Sequence, residues 1–297
     1  MRPRSRRACW PRRLTGCARA RRPCTASHPR RPRLRRLHRQ RLRRRLPAPN
    51  SAVCRARGIM KTAERDVAAD KRTMVRQMFA QIAPTYDLLN TVLSANVHRG
   101  WRRAALDAAC LTDGCCLLDL ATGTADVALA AARRGVRVVG ADFCAPLLRI
   151  GQTKIRQQAP GRICLTLGEA DHLPFADGSF DAVVMAFALR NVPSPEHALS
   201  EMRRVTRRGG WVVNLELTRP QNTTLAHMYR LYQNHVMPFV GWLVSGNREA
   251  YTYLPRTIQD FDSPAQVAEH CRRAGLEQVS WQPLSGGLAT LHRGQRP

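Results

Sequence analysis

Asp142 stands nineteen residues beyond a lone loop glycine, Gly123, and the stretch between them could bind a molecule that contains adenosine. A backbone that must approach its ligand closely is best built of Gly and Ala, and Ala121-Thr122-Gly123-Thr124-Ala125 is such a loop. A helix opening just after it would present unpaired N–H groups. A carboxylate at position 142 could accept hydrogen bonds from two ribose hydroxyls. Farther along, Gly168-Glu169-Ala170-Asp171 brings acids to another strand end, where one of them could read an adenine amino group.

The loop favours one ligand class over another. A dinucleotide fingerprint needs G-x-G-x-x-G, but here Gly123-Thr124-Ala125-Asp126-Val127-Ala128 keeps one glycine and puts Asp126 where a pyrophosphate would lie. Negative charge beside a diphosphate costs binding energy, so NAD is disfavoured. S-adenosylmethionine (SAM) carries an ammonium and a sulfonium instead, which makes Asp119 and Asp126 assets. The alternative is a structural βαβ unit without ligand.

These residues need a scaffold, and the sequence supplies one. Leu117-Leu118-Asp119-Leu120 has strand length, the stretch with Val127, Leu129, Ala130 and Ala131 is helical, and Gly135 closes it before the β-branched run 136–139. A helix over 146–158, a strand over 163–167, a buried strand over 182–186, a helix over 196–207 and a strand over 211–217 follow. Arg208-Gly209-Gly210 reads as the turn before the last of these, and Phe187-Ala188-Leu189-Arg190-Asn191-Val192 lies at the carboxyl end of a central strand, where α/β folds bind ligands. Five strands alternating with helices predict an α/β fold with a doubly wound, mostly parallel sheet, and 277–282 with 288–292 predict an antiparallel hairpin that closes it. A Met/aromatic face (Leu225, Met228, Tyr229, Tyr232, Val236) reads as core, and the apolar run 238–244 as a lipid-groove lining too short to span a bilayer. Residues 64–109 read as helical, with Met74, Met78 and Ile82 on one face and Tyr86, Asp87, His98 and Trp101 following, a segment able to fold over the cofactor cleft as a lid.

Charge is unevenly placed. Of a formal net charge of +28, the first 58 residues carry 21 Arg with no Lys, Asp or Glu. That Arg- and Pro-rich composition cannot bury a core. It fits a nucleic-acid-binding arm, a mitochondrial transit peptide, or a reading frame extended upstream of Met60. No window of 18 apolar residues exists, and no continuous apolar segment suggests a secretory signal. Ten cysteines without a C-x-x-C signal neither zinc nor a disulfide framework, so reduced thiols are expected.

The chain from about 72 to 295 resembles the menaquinone/ubiquinone-biosynthesis C-methyltransferases. The segments that carry the likeness include 75–79 with Tyr86-Asp87-Leu88-Leu89-Asn90, His98-Arg99-Gly100-Trp101-Arg102 and the 118–126 loop region. Leu173-Pro174-Phe175, Leu189-Arg190-Asn191-Val192, Tyr251-Thr252-Tyr253-Leu254-Pro255 and 286–294 continue it in order. The resemblance implies a class I SAM-dependent methyltransferase fold, SAM as methyl donor, no metal, and methylation of a ring carbon of a polyprenyl quinol. It implies cofactor contacts at Thr124, Asp142, Glu169, Ala170 and Ala186, beside Asp119 and Gly123 from the loop. Ala125 stands where the family has a second glycine, a small change if its φ stays negative. Candidates for the base or the ring-hydroxyl contact are Arg190, Asn191, Tyr86, Asp87 and His98, of which Arg190, always cationic, would stabilise a phenolate.

Composition, helical spacing and the resemblance together divide the chain into three parts: an arm at 1–59, a helical lid at 60–110, and a methyltransferase domain at 111–297 with a substrate-covering insertion at about 220–262. The acceptor is expected to be demethylmenaquinol, with the benzoquinol precursor of ubiquinol as alternative. The expected location is the inner face of the cytoplasmic membrane, in peripheral contact with it, and a homo-oligomer or a biosynthetic complex stays open. A nucleic-acid-binding protein and a SAM- or quinone-binding subunit without turnover are the competing classes.

Overall fold

The computed structural model describes residues 71–246 and 248–297, with backbone alone at 245 and 248–250. The Arg-rich arm, Met60 and the part of the expected helical segment before residue 71 lie outside the described residues. Seven strands form one sheet in the order β3-β2-β1-β4-β5-β7-β6. They are β1 (Cys116–Leu120), β2 (Arg137–Asp142), β3 (Ile163–Leu167), β4 (Phe180–Ala186), β5 (Thr206–Leu217), β6 (Glu277–Leu284) and β7 (Ala289–Gln295). The first five run parallel; β7 lies antiparallel between β5 and β6.

Both faces of the sheet are covered, which is why β1 carries leucines on both of its faces. Leu117 and Leu118 point to opposite faces, yet each is 0% exposed. Leu117 packs with α3 (His98–Ala108), α4 (Asp126–Ala132) and α5 (Ala145–Gln158). Leu118, level with Val183 and through it Val212, packs with α6 (Pro195–Val205) and α10 (Pro264–Arg273). Each such aliphatic contributes roughly 1.5–3 kcal/mol by leaving water. Trp101, Ala105 and Leu106 of α3 belong to that first core layer.

Helices α1 (through 71–82), α2 (Tyr86–Leu93), α7 (Thr223–Leu231), α8 (Met237–Ser245) and α9 (Arg248–Asp260) gather beyond the carboxyl ends of the strands, with a π-helical turn at Tyr232–Val236 joining α7 to α8. Gly241 lets α8 approach α9, since a Cβ there would lie 2.1 Å from the Tyr251 ring.

Two expectations change. The turn at 208–210 is a bulge inside β5: Phe180 pairs with Thr206 but Ala182 with Trp211, and Gly209 absorbs the extra length at φ +73. The Met/aromatic face of 225–236 is not core, and in the apolar run 238–244 three large side chains also face outward. Met228, Leu231, Val236, Phe239, Trp242 and Leu243 are all exposed, because these helices lie over a cleft with one side turned outward.

Candidate functional site

Two cavities adjoin at the carboxyl ends of β1, β2 and β4. The first, about 90 Å³, is floored by Leu120, Ala121, Gly123, Asp142, Ala186 and the turn Gly168-Glu169-Ala170-Asp171. The loop after β1 takes its shape from left-handed backbone at alternate positions: Ala121 at φ 57, Gly123 at φ 56 and Ala125 at φ 69. The expectation of a negative φ at Ala125 is therefore overturned. Alanine carries a strain that glycine would not, and α4, starting at the next residue, holds it there.

Asp142 is the centre of this cavity. Its Oδ2 accepts the Gly123 N–H at 2.8 Å and its Oδ1 the Cys144 N–H at 2.8 Å, so main chain on both sides aims it. Burial raises its pKa to about 6, against the pull of those N–H groups. Such a carboxylate, with lone pairs left over in a cavity walled by Phe143 and Leu147, suits hydroxyl groups beside a flat apolar ring. The residues present therefore fit SAM. Glu169 lines the same cavity and is held by Arg72 at 2.9 Å, whose other nitrogen reaches Asp171 at 3.1 Å.

Other predicted contacts sit elsewhere. Asp119 faces α4, not the cavity: its Oδ2 accepts both the Thr122 hydroxyl (2.6 Å) and the Ala128 N–H (3.0 Å), and burial pushes its pKa up to about 7. It shapes the loop. Thr124, 2% exposed, donates its hydroxyl to Asp87 at 2.5 Å, and Asp87 also takes Lys154 at 2.9 Å. Neither Thr124 nor Asp87 lines either of the two cavities; together they tie the loop to α2. Asp126 pairs with Arg102 (2.6 Å) and Lys154 (2.5 Å), so its charge is spent within the protein. Burial would raise its pKa, but the two cations outweigh that and lower it.

The second cavity, about 490 Å³, is walled by aromatic rings, among them Trp101, Phe187, Tyr229, Tyr232, Tyr251 and Tyr253. Of the predicted catalytic residues it gathers Tyr86, His98, Arg190 and Asn191. Arg190 forms an ion pair with Glu216, which is 0% exposed, and its Nη1 also donates to the Phe187 carbonyl at 2.8 Å. Tyr253 donates its hydroxyl to Asn191 Oδ1 at 3.4 Å. His98 is buried, not superficial: burial first, then Arg102, lowers its pKa to about 4, and Nδ1 lies 2.5 Å from Ser94 Oγ. It is a neutral imidazole at neutral pH. Burial raises the Tyr86 pKa as well. Of the 236–244 stretch, Met237 enters the cavity wall, while Phe239, Trp242 and Leu243 face outward.

Four residues, Phe79, Tyr86, Phe187 and Asn191, line both cavities and form the wall between them. Sequence reasoning passed over Arg72 and Glu216, singled out Phe187 only as part of a strand-end segment, and read Tyr229 as core. For Glu216 a signal existed: an acid inside the buried run Asn214-Leu215-Glu216-Leu217 must have a cationic partner. Among the described residues no group of three or more His, Cys, Asp or Glu is arranged to hold a metal ion.

Known proteins resemble the chain along most of its length. The model of the ubiE/COQ5 methyltransferase family matches residues 66–296. The demethylmenaquinone methyltransferase of Thermus thermophilus is 42% identical over 222 residues, covering 74% of this chain and 100% of that protein. That of Mycobacterium marinum is 41% identical over 223 residues, covering 75% and 94%. Among solved structures, the 4+2 cyclase SpnF matches with a TM-score of 0.58 at 18% identity over 75% of this chain and 96% of its own. A SAM-dependent methyltransferase from Thermotoga maritima gives 0.53 at 16% identity over 74% and 99%. At such identities these two structures speak for the fold alone, which is the class I SAM-dependent methyltransferase fold.

Proposed function

The chain belongs to the ubiE/COQ5 methyltransferase family and is a SAM-dependent quinone C-methyltransferase, and we propose that its acceptor is a demethylmenaquinol, converted to menaquinol. Relatives about two-fifths identical carry the name demethylmenaquinone methyltransferase, which supports the naphthoquinol over a benzoquinol. The observation that carries the reading is the shared wall. A cavity fitted to SAM touches an aromatic cavity of about 490 Å³ across four side chains, so donor and acceptor can meet.

SAM supplies a methyl cation equivalent. The chain has to hold the reduced ring, favour loss of a hydroxyl proton, and keep carbon, methyl and sulfur in line. A phenol has a pKa of roughly 10. In this reading Arg190 stabilises the phenolate and lowers that value, while Asn191 and Tyr253 hold the hydroxyl. His98, already neutral, accepts the proton; its lowered pKa makes it a weak base, so Arg190 must do much of the work. Asp142, Glu169, Ala170, Ala186 and Gly123 form the cofactor side.

The exposed side chains on α7 and α8 stand on the helices that supply Tyr229 and Met237 to the acceptor cavity, with Tyr232 on the turn between them. They support an exit for the prenyl tail and a peripheral seat on the inner face of the cytoplasmic membrane. Helices α1 and α2 serve as the cover of the cleft.

The test is purified protein with methyl-labelled SAM and a short-tailed demethylnaphthoquinone, with and without dithionite. Label should enter a ring carbon of the reduced acceptor only, because the oxidised ring is electron-poor and cannot attack a sulfonium. Equal labelling of the oxidised form, or label on oxygen, would refute the reading; faster labelling of a benzoquinol would refute the acceptor.

A further inference from the structure

Phe187 follows the last residue of β4 with φ 61, a left-handed conformation that a bulky side chain rarely adopts. Its surroundings hold it there at several points. The Phe187 N–H donates to the Leu215 carbonyl at 2.7 Å, and its own carbonyl accepts Arg190 Nη1 at 2.8 Å. Arg190 is in turn fixed by the buried Glu216. The ring lies 6.2 Å from the Trp101 ring, centroid to centroid, and the Arg102 guanidinium sits 5.9 Å from its centre. So many restraints on one unfavourable backbone mark a side chain whose direction matters. That side chain forms part of the wall shared by the two cavities.

We propose that Phe187 is the partition residue of the methyl transfer: its ring, set by the clamped left-handed backbone, seats the acceptor ring in line with the methyl group and limits how far the acceptor can slide toward the cofactor. The inference rests on the acceptor reading above and deepens it. Ion pairing between Arg190 and Glu216 then acts on more than a phenolate, because it also holds the carbonyl that fixes this ring. Phe187 touches the acceptor ring without exchanging a proton or electrons with it, so it is a positioning residue. A core phenylalanine that merely filled space would need neither the left-handed backbone nor contact with both cavities.

The experiment compares the full chain with its Phe187→Ala, Phe187→Gly, Phe187→Leu and Phe187→Tyr variants. SAM affinity is measured by calorimetry, and kcat and KM with the short-tailed demethylnaphthoquinol under dithionite. Misplacing the acceptor by about 1 Å should cost on the order of 100-fold in kcat. Phe187→Ala and Phe187→Gly should both show that loss, with a much smaller loss of SAM affinity because the ring also borders the cofactor cavity, Phe187→Leu should lie between, and Phe187→Tyr should recover most of the rate. Glycine accepts a left-handed backbone freely, so Phe187→Gly should unfold at a temperature no lower than Phe187→Ala while remaining as slow. Unchanged kcat in Phe187→Ala, or no better rate in Phe187→Tyr than in Phe187→Ala, would overturn the partition while a labelled quinol in the parent leaves the acceptor reading standing. A parent that binds SAM but labels no quinol would overturn both.

Discussion

The two cavities are built by different means. The centre of the cofactor cavity is shaped by main chain of one continuous βαβ unit: Gly123 and Cys144 N–H groups aim Asp142, and the loop bends at Ala121, Gly123 and Ala125. The acceptor cavity is assembled by side chains that meet across long separations, as Trp101 with Ser285 (2.9 Å), Tyr253 with Asn191 (3.4 Å) and Arg190 with Glu216. A site made by backbone can hold an ill-suited side chain in place, as α4 holds Ala125 in its left-handed conformation. In a site made by side chains, the cost of a substitution concentrates in a few groups.

That contrast predicts its largest effect at Arg190. Arg190→Ala leaves Glu216, 0% exposed, without its cation, and breaking a buried pair costs about 3–5 kcal/mol of stability. It also removes the phenolate partner, for an expected loss of about 100- to 1000-fold in kcat. Replacing both partners, Arg190→Met with Glu216→Met, should restore much of the stability and none of the activity. A folded Arg190→Ala protein within tenfold of full activity would break the contrast at its strongest point.

The cofactor unit was legible in the sequence because its signals are local. Strand, loop, helix and strand follow one another, and Asp142 falls at a strand end where periodicity puts it. What periodicity could not tell was which acids face the ligand. Asp119 and Asp126 lie as near the loop in sequence as any cofactor contact, but one points under α4 and the other meets Arg102 and Lys154. Those partners come from α3 and α5, and nothing local announces them. The acceptor cavity was legible only as scattered segments, Tyr251-Thr252-Tyr253 among them, since its wall depends on how α7, α8 and α9 settle over the sheet. The same dependence misled the reading of Met228 and Val236, whose spacing is that of a buried helix face but which have no layer above them.

Asp119 sharpens the comparison on the cofactor side. Its folded pKa, about 7, lies above the unfolded value of roughly 3.9, so its protonated form favours folding. That contribution is full below the unfolded pKa and is lost as pH rises through about 7, at most on the order of 4 kcal/mol. Both donors meet the same oxygen, Oδ2, so the amide oxygen of Asp119→Asn can replace it. The variant should flatten the stability–pH curve between those limits and retain SAM binding. An unchanged curve in chemical denaturation would show that Asp119 is not the titrating group.

Asp142 should behave in the opposite sense toward the ligand. Asp142→Ala should weaken SAM binding by about 1.5–3 kcal/mol, as for any charged acceptor lost from a buried site. Because the carboxylate is the form that accepts ribose hydroxyls, SAM affinity in the parent should rise as pH passes through about 6 and level off above it. Asp142→Asn should remove that step. Calorimetry that finds SAM affinity unaltered in folded Asp142→Ala would move the cofactor away from this strand end.

Thr124 supplies the smallest effect and the finest discrimination. Its hydroxyl is engaged by Asp87 at 2.5 Å and by Lys154 at 3.3 Å, and it is 2% exposed, so none of it is offered to the cavity. Thr124→Val keeps shape and volume while deleting the bond to Asp87 and the longer one from Lys154, and Lys154 still neutralises Asp87 across 2.9 Å. The expected cost is about 1 kcal/mol of stability, the net worth of a hydrogen bond with one partner left behind near other donors. SAM affinity should change by less than about twofold, because the loop's shape is held by its own main chain and by Asp119. A tenfold loss of SAM affinity in Thr124→Val, with its melting temperature near that of the parent, would put the hydroxyl on the cofactor. The donor cavity would then depend on side chains as the acceptor cavity does, and the contrast between them would fail.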